Sequence, residues 1–354
     1  LKKFLFALIF LLHHFVTEAQ PMPSSKRTIQ NTLSDQGSKV AVLYDEAFLL
    51  HDTGMGHPER PERLKFVVNK IQLDQALSKH LYWPRIKLAS NNDLQMVHQQ
   101  DYLQLVEKEI GQLKVNEVAN LSTGDTVISP NTLNAAKLAV GAGVTGVDEI
   151  MHGKATAAFA LVRPPGHHAT ATRGMGFCVY NNVAIAAKYV QKHYGVNRVL
   201  IVDFDVHHGN GTQDIFYEDD SVFYFSVHQS PLYPSTGNPL ETGKGKGVGF
   251  NLNVALEKGA GDQALLAAFK GQLKPAMKLF KPEFIIVSAG FDSHAGDPLG
   301  GLNYSDDGYV AIARILNEMA AQYASGRLLY MLEGGYTLEN IANSVIAILK
   351  VLTE

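Results

Sequence analysis

Apolar runs of five or six residues recur along the chain, and each is followed by a stretch with helical spacing. The runs are Val40–Tyr44, Ala157–Val162, Arg198–Asp203, Val222–Val227, Phe284–Ala289 and Leu328–Leu332. The helical stretches are 60–79, 131–151, 182–194, 262–280, 305–323 and 337–352; in the first, Leu64, Val67, Val68 and Ile71 share one face. Near-continuous apolar strands alternating with helices predict a mostly parallel central sheet with helices on both faces, an α/β fold in three layers. No repeat or linker interrupts residues 39–354, so one domain is expected there.

Two segments precede it. Lys2 and Lys3, an apolar run to Leu12 and the small-x-small pattern at Thr17-Glu18-Ala19 predict a signal peptide over 1–19 and with it a periplasmic or secreted protein; the alternative is an amphiphilic leader ahead of a cytoplasmic protein. Residues 20–38 are polar, with Pro and Ser, and predict a flexible lead-in. No apolar stretch is long enough to predict a transmembrane helix. Lys+Arg 31 against Asp+Glu 34 leaves no basic field, which argues against nucleic-acid binding. The single cysteine, Cys178, excludes an intrachain disulfide and a cysteine-cluster zinc site.

In such folds ligands bind beyond the carboxyl ends of the strands, and four strand ends carry chemistry. Ala157–Val162 leads into Arg163-Pro-Pro-Gly-His167-His168, and Arg198–Val202 into Asp203-Phe-Asp205-Val-His207-His208-Gly-Asn210-Gly211. Phe284–Ala289 leads into Gly290-Phe291-Asp292, and Leu328–Leu332 into Glu333-Gly334-Gly335-Tyr336. In extended chain Asp205 and His207 point to the same side. A lone Asp-x-His reads as a surface or capping pair. With Asp292 from another strand end it makes three ligands with an open position, the arrangement of catalytic zinc. Fe²⁺ takes the same ligand types, so the metal stays open between the two.

His167 and His168 are suited to moving protons beside such an ion. Asp203 and Asn210 are the expected orienting partners. An amide partner leaves a histidine neutral more readily than a carboxylate does, which makes His168, paired with Asn210, the candidate general base. The neighbouring His208 faces the other way and is expected to be packed. Gly334 and Gly335 let the backbone come close to a ligand, and the Tyr336 hydroxyl would stabilise a developing oxyanion.

Five ordered motifs, RPPGHHA (163–169), GFCVYNN (176–182), DFDVHHGNG (203–211), SAGFDSHAGDP (288–298) and LEGGY (332–336), resemble the histone deacetylase / acetylpolyamine amidohydrolase family. HPERPERL (57–64) resembles the N-terminal motif of class II-like and bacterial members. The resemblance covers roughly residues 40–340. It implies an arginase/deacetylase-like fold and zinc-dependent hydrolysis of acetyl-lysine or a related acylated amine. In that reading Asp205, His207 and Asp292 hold zinc, His168 is the general base and acid, and His167, supported by Asp203, is its electrostatic partner. Tyr336 polarises the carbonyl. Phe177 and Tyr233 wall a substrate channel whose lining also takes in Leu299 and Gly335. Asp125 sits at its rim, and K⁺ binds as a structural ion near Asp203, Asp205, His207 and Ser226. Asn210 stands where class I members have Asp. Leu299 stands where polyamine-specific relatives carry a glutamate, which favours acyl-lysine over acetylpolyamine. The competing accounts are an acetylpolyamine deacetylase, a non-catalytic acyl-ligand-binding protein of the same fold and a two-metal ureohydrolase. The last needs a second Asp-x-His pattern after His208, and none follows.

Overall fold

The computed structural model describes residues 39–354; the expected leader and lead-in, 1–19 and 20–38, lie outside the described residues. Among the described residues there are ten strands: β1 (Val40–Leu43), β2 (Leu81–Tyr82), β3 (Ala119–Asn120), β4 (Val127–Ile128), β5 (Ala157–Ala160), β6 (Val199–Asp203), β7 (Val222–Gln229), β8 (Asn251–Leu256), β9 (Phe284–Ala289) and β10 (Leu328–Leu332). Eight form one sheet in the order β2-β1-β5-β10-β9-β6-β7-β8, with every pairing parallel. β3 and β4 make a separate antiparallel hairpin.

Every residue of β1, β5, β6, β7, β9 and β10 is buried. Both faces of the sheet are therefore covered, which is why these strands read as unbroken apolar runs rather than alternating ones. Helix Thr132–Met151 packs on β5, β1 and β10 and against helix Asn182–Tyr194. Gly146 lets it come close: a methyl group there would sit 2.8 Å from Leu329 Cδ1. Helix Leu338–Leu352 packs against both Glu62–Leu73 and Asp306–Tyr323. Among the described residues no helix is long and apolar enough to cross a membrane.

Two expected helices are broken, each for a local reason. The one expected at 60–79 ends at Leu73, because the Asp74 side chain accepts from Leu77 N (3.0 Å) and caps a new turn, Gln75–Ser78. The one expected at 262–280 contains a π turn, Phe269–Leu273, just ahead of Pro275. Proline lacks an N–H and crowds the preceding turn, and the wider turn accommodates it.

Candidate metal and catalytic site

β5, β10, β9 and β6 are consecutive in the sheet, so the four motif-bearing strand ends open side by side at one edge. A cavity of about 270 Å³ lies there. Its wall includes Asp125, His167, His168, Phe177, Asp205, His207, Tyr233, Leu299 and Tyr336, together with Pro165, Gly176, Leu232 and Gly334. Gly335, expected in the channel, is not in the wall. Its φ of +113° goes with a carbonyl that accepts from Arg63 Nε (2.6 Å), and a methyl group on it would lie 2.9 Å from Phe291 Cβ and 3.0 Å from Ile341 Cγ1.

At the floor, one ligand atom from each of Asp205, His207 and Asp292 lies within 4.8 Å of the others. His207 Nδ1 is 3.1 Å from Asp205 Oδ1 and 3.2 Å from Asp292 Oδ2. The other contacts of these carboxylates hold them in place: Asp205 Oδ2 accepts from Gly334 N (2.8 Å), and Asp292 Oδ1 from Val206 N (2.9 Å). Asp292 Oδ2 is buried and accepts no well-aligned hydrogen bond, its 3.2 Å approach to His207 Nδ1 being an ionic contact only. A buried carboxylate oxygen without a partner is costly, and a cation at the common point of the three groups would satisfy it. Burial and the facing charge of Asp205 push the Asp292 carboxyl up to about 7. Burial alone would lower His207, but its two carboxylate neighbours push it up to about 10. Both shifts mark a site poised for positive charge, and the donor set of two oxygens and one nitrogen fits a divalent ion. A methyl group on Gly334 would overlap the carboxylates of Asp292 and Asp205, so the backbone there seals one side.

The tandem histidines differ sharply in charge. Burial would lower His167, but Asp203, Asp205 and Glu333 outweigh it and push it up to about 10. Its Nδ1 donates to Asp203 Oδ2 (3.0 Å), and Tyr224 donates to the same oxygen (2.9 Å). His168 is held well below its ordinary value by burial and by the positive charges of His167 and His207. Its Nδ1 donates to Asn210 Oδ1 (2.8 Å), which leaves Nε2 with a free lone pair. One imidazolium and one neutral imidazole therefore stand with ring centroids 4.0 Å apart. His208 turns away to Thr236 Oγ1 (2.7 Å) and Gln213 Oε1 (3.0 Å). Ser226 pairs with His228 Nδ1 (2.9 Å).

Tyr336 is nearly buried, and burial with the charge of Asp292 keeps its hydroxyl protonated far above neutral pH. Phe177 meets the Tyr336 ring edge-on at 6.3 Å, and Tyr233 meets His168 edge-on at 5.2 Å. Asp125 Oδ1 accepts from Gly176 N (2.7 Å) and lies 3.4 Å from the Tyr233 hydroxyl.

The functional loops rest on buried charges that sequence reasoning left without roles. Glu59, Arg63 and Arg163 are all fully buried. Glu59 pairs with Arg163 Nη2 (2.8 Å) and Arg63 Nη1 (3.0 Å). Arg63 also donates to Glu333 O (2.6 Å) and lies 5.1 Å from the Tyr336 ring centroid. Glu333 Oε2 accepts from Gly166 N (2.6 Å) and His167 N (3.2 Å), fixing the turn before the tandem histidines. Asp297 Oδ2 accepts from Tyr336 N (2.7 Å). The Glu59/Arg63 spacing of four was the available signal, and it reads equally well as an exposed helix pair.

Comparison with known proteins is consistent with this geometry. The protein-family model described as "Histone deacetylase domain" matches residues 57–352. "Histone deacetylase 10, chloroplastic" of Oryza sativa subsp. japonica is 40% identical over 86% of this chain and 71% of its own length. The "Probable deacetylase" of Archaeoglobus fulgidus is 38% identical over 84% of this chain and 81% of its own. The crystal structure of the HDA15 HD domain superposes with a TM-score of 0.83 at 37% identity, over 89% of this chain and 88% of that one.

Proposed function

The chain belongs to the histone deacetylase family, and from that premise we propose that it is a zinc-dependent hydrolase that removes the acetyl group from acetylated lysine side chains. The observation that carries this reading is the meeting of a divalent-ion donor set, a neutral histidine, a charged histidine and a protonated tyrosine in one cavity. Asp205, His207 and Asp292 would hold the ion, which when bound supplies a Lewis acid for the acyl carbonyl and an acidified water.

The chain's own groups do the rest. His168 Nε2 takes the proton of the attacking water, because its neutral state leaves that lone pair free. Negative charge then gathers on the former carbonyl oxygen, and the Tyr336 hydroxyl donates a hydrogen bond to it. His167, charged and tied to Asp203, keeps a positive charge beside the reacting atoms. The proton on His168 passes to the amine nitrogen as the C–N bond breaks, giving acetate and a free amine. Phe177, Tyr233, Leu232 and Leu299 form a largely apolar wall suited to the methylene chain of lysine. Leu299 places a hydrocarbon where a cationic polyamine would gain from a carboxylate.

The test is turnover by zinc-loaded protein of acetyl-lysine peptides, longer acyl-lysine peptides and acetylated polyamines. Acetyl-lysine peptides are expected to react fastest. Preference for acetylpolyamines would overturn the substrate, and metal-replete protein inert on all three would favour a non-catalytic acyl-ligand-binding protein.

A further inference from the structure

Four apolar side chains are exposed on segments that connect to one side of the cavity wall: Met55 (106%), Val115 (86%) and Val118 (41%) on loops and Leu50 (56%) at the end of the 3-10 turn Glu46–Leu50. Their place is set by contacts. The His57 ring meets Phe177, a cavity wall residue, edge-on at 4.6 Å, and Met55 is two residues before it. A methyl group on Gly54 would lie 3.7 Å from Val118 Cγ2, so the Met55 loop abuts the segment entering β3. The β3–β4 hairpin carries Asp125, which is also in the cavity wall. Leu50, Asp52 and Val115 share a crevice of about 230 Å³ on the same flank.

The Met55 loop is pinned at its base. Thr53 Oγ1 donates to Glu59 O (2.6 Å), Gly54 N to Asp52 Oδ1 (2.9 Å) and His57 N to Gly54 O (3.4 Å). A flexible thioether is thus presented to solvent on a fixed stem, and apolar surface held in water gains when a ligand covers it. Resting on the acetyl-lysine reading above, we infer that the substrate is a polypeptide in which an apolar side chain flanks the acylated lysine, with Met55 selecting for it. Continuity with the cavity argues for this occupant. A chain whose acylated lysine enters the cavity runs past the mouth and lays its neighbouring residues on this shelf. A free polyamine has no branched apolar group to place there.

Four proteins, wild type, Met55→Ser, Met55→Leu and Val118→Ser, would be compared on three probes. The probes are an acetyl-lysine peptide with flanking leucines, the same peptide with flanking serines, and capped acetyl-lysine alone. The wild type is expected to prefer the leucine peptide. Met55→Ser raises its KM about fivefold, the scale of one interface residue, with kcat and the capped amino acid unaffected. Val118→Ser raises KM in the same direction, and Met55→Leu restores the wild-type KM. Equal rates on the two peptides, or an equal loss on all three probes, would overturn the shelf while leaving the deacetylase reading intact. Wild-type protein inert on every lysine probe would overturn both.

Discussion

The His168→Ala protein is expected to turn over an acetyl-lysine peptide at least about a hundredfold more slowly than wild type, the scale of a lost general acid–base. The reason is the asymmetry of the histidine pair. His167 is held charged by Asp203 and Asp205 and has no free lone pair to take a proton. His168 is kept neutral by burial and by the charged His167 beside it, and Asn210 fixes the ring so that Nε2 is the free base. Tyr336→Phe is expected to cost a similar factor, because one oxyanion donor is removed while the ring and its contact with Phe177 are kept. Asn210→Asp provides a test of charge rather than shape. A carboxylate there raises the His168 pKa, and a base works only when deprotonated. The acid limb of kcat/KM therefore moves to higher pH, whereas a purely structural effect would lower the whole profile without moving it. Unchanged turnover in a folded, metal-replete His168→Ala or Tyr336→Phe protein would remove those residues from the mechanism.

Glu59→Gln is expected to destabilise the fold by about 3–5 kcal/mol, read from the midpoint of urea unfolding, because breaking a buried pair leaves its partner charges uncompensated. Here two guanidinium groups, Arg63 and Arg163, would be left facing a neutral amide with no access to water. Burial alone would raise the Glu59 carboxyl, yet the two arginines pull it down to about 2. Its ionisation therefore contributes stability fully above the ordinary glutamate range, and that contribution is lost as pH falls toward 2. Arg63 also holds the carbonyls of Glu333 and Gly335, so loss of Glu59 is expected to lower kcat through Tyr336 as well. Glu339→Gln, which breaks an exposed pair with Lys70, should cost under about 1 kcal/mol. A Glu59→Gln protein no less stable than that control would contradict the role given to the cluster.

The contrast between the two sets of residues shows what a sequence exposes. Asp205 and His207 are two positions apart on extended chain, and His167 and His168 follow an apolar run after the turn Arg163-Pro-Pro-Gly, so their convergence could be read from local spacing. The same runs predict the inner strands because both faces of the sheet are buried. Strand order is another matter: that β10 lies between β5 and β9 depends on packing between distant segments. β8 was passed over because Asn251 and Asn253 interrupt its apolar run; both side chains turn to Gln213. Helix Gln100–Gly111 had readable spacing in Tyr102, Leu103, Val106 and Ile110 and was also missed. Glu59, Arg63 and Arg163 carry charges that usually lie in water, and no local pattern says that three of them are sealed beneath the site. Gly335 was expected in the channel because its neighbours are there, but a single positive φ turns it out.

Elemental analysis of the purified protein, paired with Asp292→Ala, tests the central claim most directly. If Asp205, His207 and Asp292 share one ion, the wild type binds one zinc per chain after loading and the variant binds essentially none while keeping its circular dichroism spectrum. Two zinc ions per chain, or a folded Asp292→Ala protein that retains its zinc, would contradict the account.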